Sequence, residues 1–110
     1  MIVLGGYAVV LKRVNKLLNS LEKDELIDYL AIHAKAGDLI TGTGGIRKLR
    51  WSAQGKGKSG GVRVIYYYHN ETIPLFLLTV FSKNEKVNLS KSEGNELTKL
   101  TRLLKSSYRV

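Results

Sequence analysis

Gly61-Val62-Arg63-Val64-Ile65-Tyr66-Tyr67-Tyr68-His69 is the stretch on which the fold turns. Its β-branched and aromatic residues suit a pleated strand. Alternation sends Val62, Val64, Tyr66 and Tyr68 to one face, and Arg63, Ile65 and Tyr67 to the other. Upstream, Ile46–Trp51 (IRKLRW) alternates in the same way: Leu49 and Trp51 share one face, Lys48 and Arg50 the opposite one. Downstream, His69-Asn70-Glu71-Thr72 reads as a turn. Ile73–Phe81 reads as a third strand, with Pro74 near its start, where a missing N–H is tolerated. Three strands in a meander follow.

Helices flank this meander. Val10, Val14, Leu17, Leu18 and Leu21 recur at the spacing of an amphipathic helix, after a possible short strand over Leu4–Val9. Asn19 or Ser20 can cap a second helix, with Glu22, Asp24 and Glu25 where the dipole favours acids. Leu26, Tyr29, Leu30 and His33 form its apolar face, and Gly37 is a stop signal. Ser90 with Glu93 forms a capping box that opens a last helix striped by Leu97, Leu100, Leu103 and Leu104. The expected fold class is α+β: one domain over 1–110, an N-terminal helical hairpin packed on a small, mainly antiparallel sheet, and a C-terminal helix. Helices are expected to cover one sheet face. The other is expected to stay uncovered and to carry Lys48, Arg50, Arg63, Ile65 and Tyr67.

The charge points to a polyanionic partner. The 110 residues hold 18 Lys plus Arg against 9 Asp plus Glu, a net +9. Between Asp38 and Glu71 no acid occurs, while Arg47, Lys48, Arg50, Lys56, Lys58 and Arg63 do. A surface made only for solubility would mix both signs. Without cysteine, a disulfide scaffold, a thiolate metal site and cysteine catalysis are excluded. His33 and His69 have no partner at ligand spacing, so neither a metal nor a general acid–base histidine pair is expected. The apolar run at Ile73–Phe81 is far short of the ~20 residues of a membrane-spanning helix, and no charged region precedes the apolar N-terminus as in a signal peptide. Gly55–Gly60 (GKGKSG) imitates two nucleotide-binding fingerprints but fails both. Position 52 is Ser where a P-loop has Gly, and a strand follows where a dinucleotide site needs a helix. The glycines still allow backbone N–H groups close to a phosphate. Trp51 is expected in the core, Tyr67 beside Arg63 as a surface on which a base could stack, and Lys83 at the sheet rim.

Three blocks then occur in order: Gly42–Trp51 (GTGGIRKLRW), Gly55–Tyr68 (GKGKSGGVRVIYYY) and Phe81–Lys86 (FSKNEK), followed by Leu89-Ser90. Together they resemble the RelE superfamily of type II toxins, and within it the HigB-like branch, over roughly residues 10–105. The resemblance implies a RelE-like fold and an endoribonuclease (mRNA interferase) that cuts mRNA in the ribosomal A site in the cytoplasm. It also implies a cognate antitoxin as partner, with no metal and no small-molecule cofactor. Carried over, the catalytic set is Lys56, Lys58, Arg63 and Lys83, with Lys48 and Arg50 as nearby alternatives. Arg47, Lys48, Arg50, Tyr67 and Lys86 form the expected RNA-binding set. Where better-known members have a tyrosine, this chain has Leu89, so the chemistry leans on lysine and arginine.

Such a set suits RNA, which carries its own nucleophile. Clustered cations depress one another's proton affinity, so Lys56 or Lys58 could serve as base. Arg63 would stabilise the phosphorane by bidentate contact, and Lys83 could stabilise charge or protonate the leaving oxygen. Two other readings stay open: a toxin of the same fold acting on a protein such as a topoisomerase, and a non-catalytic nucleic-acid-binding module.

Overall fold

The computed structural model describes residues 2–4, 8–53, 61–86 and 88–108, with side chains from residue 10 onward. The elements run β1 (Ile2–Leu4), α1 (Ala8–Leu17), α2 (Ser20–Ile32), β2 (Asp38–Leu39), β3 (Ile46–Trp51), β4 (Val62–Tyr67), β5 (Leu75–Ser82) and α3 (Lys91–Ser107). The sheet order is β1-β5-β4-β3-β2. β1 pairs parallel to β5, and every other pairing is antiparallel. The α+β fold with its N-terminal hairpin and C-terminal helix is therefore as expected. The meander gains a two-residue strand, β2, that the sequence pattern does not announce.

The helices form where their caps and stripes dictate. Asn19 accepts from the Glu22 backbone while Glu22 accepts from the Asn19 backbone, closing a reciprocal capping box. Ser90 and Glu93 repeat the device at α3. Val10, Val14 and Leu18 of the first helix, with Leu26 and Leu30 of the second, pack on Trp51, Val62, Val64, Tyr66, Leu75, Leu77 and Val80. Tyr66 is fully buried on this side. Its hydroxyl donates to the Ala34 carbonyl and accepts from the Gly37 N–H, both at 2.8 Å. Gly37 must be glycine, since a Cβ there would stand 2.9 Å from the Tyr66 ring.

The second sheet face is not open. Ile46, Ile65, Tyr67, Ile73, Phe76, Leu78 and Phe81 form a second apolar cluster, covered by Leu89, Leu97, Leu100 and Leu104. This corrects the expectation of an uncovered face. The leucine stripe of α3 needs a partner, and the hairpin already occupies the other side. Leu103, counted in that stripe, is 67 % exposed. In β5 the pairing slips between Ile65 and Tyr66 of the neighbouring strand: Ile65 faces Thr79 and Tyr66 faces Leu77. Leu78 is the extra residue of this bulge. It re-phases the strand so that Val80 reaches the hairpin side and Phe81 the α3 side.

Candidate functional site

β3 ends at Trp51 and β4 begins at Val62, and these two residues are paired. One register step inward, Arg50 lies directly opposite Arg63 on the α3 side of the sheet. Side chains so placed stand about 5 Å apart at Cβ, and like charges there repel. Arg50 is exposed, whereas Arg63 is only 7 % exposed. Arg63 therefore does not project from an open face as expected, because Phe81 sits opposite it on β5 and belongs to the second apolar cluster.

Further cations collect at this end. Lys48 lies on the same face, opposite Ile65, and its Nζ donates to Asn88 just before α3. Lys86 places its Nζ 4.9 Å from the centroid of the Phe81 ring and pairs with Glu93 of α3. That contact and the Ser90 backbone N–H hold the Glu93 carboxyl down at about 2. Lys83 is exposed on the turn after β5, and its N–H donates to the Gly61 carbonyl, which ties the turn to the start of β4.

The Lys83 turn is itself clamped. The Arg13 guanidinium of α1 donates to both Glu85 oxygens, at 2.7 and 2.8 Å, and its Nε to the Val80 carbonyl at 2.8 Å. Glu85 also accepts from the Ser82 N–H. Arg13 first, and that backbone donor second, hold the Glu85 carboxyl below the usual carboxylate range. Nothing in the sequence points to this pair, since 72 positions separate its members.

Two of the expected RNA-binding residues lie elsewhere. Arg47 falls on the hairpin side, as alternation with Leu49 and Trp51 requires. There it donates to the carbonyls of Lys35 and Gly37, fastening the link from α2 to β2. Tyr67 is 2 % exposed with its ring stacked near His69, at 6.4 Å between centroids, so neither face is open to a base. Burial also pushes the Tyr67 hydroxyl up from its ordinary value. Lys56 and Lys58 lie outside the described residues. The structure thus brings together Lys48, Arg50, Arg63 and Lys86, with Lys83 on the adjoining turn. His33 caps the C-terminus of α2, and His69 follows the far end of β4. Among the described residues no cluster of three or more His, Asp or Glu could hold a metal.

The family described as the RelE toxin of the RelE/RelB toxin–antitoxin system matches residues 10–109. The chain belongs to the RelE toxin family. A RelE toxin is one half of a toxin–antitoxin system, and this one therefore has a cognate antitoxin as partner. Among the described residues of this RelE toxin no helix is long and apolar enough to cross a membrane. The family match begins within α1 and covers every later element, so the basic sheet end lies wholly inside it.

Proposed function

We propose that this RelE toxin is a ribosome-dependent endoribonuclease of the HigB-like branch, which cleaves mRNA in the A site and stops translation in the cytoplasm. The observation that carries this reading is the Arg50–Arg63 pair, two guanidinium-bearing residues directly opposed on one face. Two guanidinium groups so placed can both donate to one phosphate lying between them.

In the reaction the 2′-oxygen attacks the neighbouring phosphorus and the bond to the 5′-oxygen breaks. A cyclic phosphate and a free 5′-hydroxyl result. Lys56 or Lys58 accepts the 2′-hydroxyl proton. Arg63 stabilises the charge that grows on the phosphorane, aided by Arg50. Lys83, held by the Arg13–Glu85 clamp, neutralises or protonates the leaving oxygen. Glu85 and Glu93 are each held ionised by a cation, which leaves them weak bases at neutral pH. Lys48 and Lys86 attract the flanking strand. A site with so weak a base needs its substrate aligned from outside, and positioning of that kind supplies several kcal/mol.

The test uses one mRNA at one toxin concentration, with and without programmed ribosomes. Cleavage confined to the ribosome tube is the expected result. Equal cleavage in both tubes would overturn the ribosome dependence, and cleavage in neither would overturn the nuclease reading.

A further inference from the structure

At the opposite end of the same sheet face, two grooves meet along the C-terminal half of α3. The larger, about 500 Å³, lies against the β4–β5 turn, where His69, Asn70, Thr72 and Tyr108 line it. The smaller, about 240 Å³, is walled by the Gly42–Gly44 loop, Tyr67 and Thr98. Arg102 and Lys105 border both. No carboxylate lines either groove among the described residues. Arg13–Glu85, Lys86–Glu93 and Lys99–Glu96 are ion pairs among the described residues, and none of them involves Arg102 or Lys105.

The bland explanation covers half of this. A cation in the last turn of a helix is favoured by the dipole, which accounts for Lys105. It does not account for Arg102, placed three residues earlier so that the two like charges share a side and repel. Their repulsion vanishes when an anion lies between them. Tyr67 follows Arg63 by four strand positions, about 13 Å, so a phosphate held here is not the one held at Arg50 and Arg63.

We infer that the Arg102–Lys105 grooves seat the phosphodiester backbone of RNA, as an anchor separate from the cutting site. This rests on the nuclease reading above and extends it: the toxin grips its RNA target at both ends of one sheet face. The open lining suits a backbone, because Asn70, the Thr72 hydroxyl and the Gly42–Gly44 loop add polar groups beside the two cations while the buried Tyr67 offers no stacking platform.

The experiment measures binding of a 2′-O-methyl RNA strand, which lacks the nucleophile and cannot be cut, across a salt series. Arg102→Gln/Lys105→Gln should bind about tenfold more weakly at low salt, with the slope of log affinity against log salt shallower by about 1.4, as expected for two lost phosphates on a single strand. Arg102→Lys/Lys105→Arg should bind like the wild type. Circular dichroism melting should match among the three. Unchanged affinity and slope in the Gln variant would overturn the proposal. Lost antitoxin binding with RNA binding intact would also overturn it, because the surface would then serve a protein. The wild type on programmed ribosomes separates the two readings: failure to cut there refutes the nuclease and leaves the salt-series result to stand or fall alone.

Discussion

Arg47 and Arg50 belong to one strand, three positions apart, and face opposite sides of the sheet. On the hairpin side, Arg47 spends its donors on the carbonyls of Lys35 and Gly37, and Tyr66 beside it both donates and accepts. Polar groups there are turned inward onto the chain itself, although the buried Arg47 Nε has no partner among the described residues. On the α3 side, Arg50 stands opposite another arginine, and Lys86 reaches over Phe81 from the segment after β5. The same residue type fastens the chain on one face and, in the function proposed above, receives a phosphate on the other. What separates them is parity along β3.

The largest expected effect comes from the α3 face. Arg63→Lys keeps the charge but loses the planar fork. Cleavage on programmed ribosomes should fall at least about 100-fold, with the urea midpoint nearly unchanged. Because Arg63 is buried, Arg63→Ala would also lose packing and would confuse the two effects. If Arg63→Lys cuts as the wild type does, the α3 face has no special need of guanidinium at that position.

The hairpin face should respond in the opposite sense. Arg47→Ala should cost about 2 kcal/mol of stability in urea unfolding, the order expected for lost charged hydrogen bonds. Tyr66→Phe should cost about 1–3 kcal/mol, since it leaves the Gly37 N–H buried and unmatched. Both variants should cleave normally once folded. Lost cleavage at full stability would erase the distinction between the faces.

Arg13 tests the border between them, because it stands on α1 and reaches across to the Lys83 turn. Arg13→Gln should lower cleavage about tenfold, the scale of a modestly misplaced group. Its stability should fall by less than about 1 kcal/mol, since the pair is partly solvated. A cleavage loss that disappears when Lys83 is already Ala would locate the effect in the turn.

The smallest effect concerns acid. The Glu93 carboxyl titrates at about 2 in the folded protein against 4.5 ordinarily, chiefly through Lys86. Its contribution is complete above pH 4.5 and is lost as pH falls through 2. Between those values Glu93→Gln should lose stability less steeply than the wild type in urea titrations. Identical slopes would mean that the Lys86–Glu93 contact adds nothing measurable.

Much of this was legible in the sequence. Ile46–Trp51 showed its strand and its two faces because period two needs only a few residues to be seen. Ser90 announced its helix, and Asn19 or Ser20 the other, with Asn19 the cap observed, because a cap is a local hydrogen bond. The covered second face was not legible. Leucines in α3 say that something must cover them, not which sheet face does. That missing piece misplaced the surroundings of Arg63 and Tyr67, although their parity was right. The Leu78 bulge and the Arg13–Glu85 clamp were invisible for a related reason. Both depend on which distant segment lies alongside, which local pattern does not encode.

The span of that clamp bears on the order in which the molecule can assemble. β3 and β4 are neighbours in the chain, so Arg50 and Arg63 can meet as soon as one hairpin closes. Arg13 and Glu85 lie 72 residues apart, and β1 must likewise wait for β5, with Ile2 registered on Leu75. Contacts of such separation carry the larger loop-closure entropy and form late. The turn that carries Lys83 is therefore fastened after the strands that carry Arg50 and Arg63 have paired.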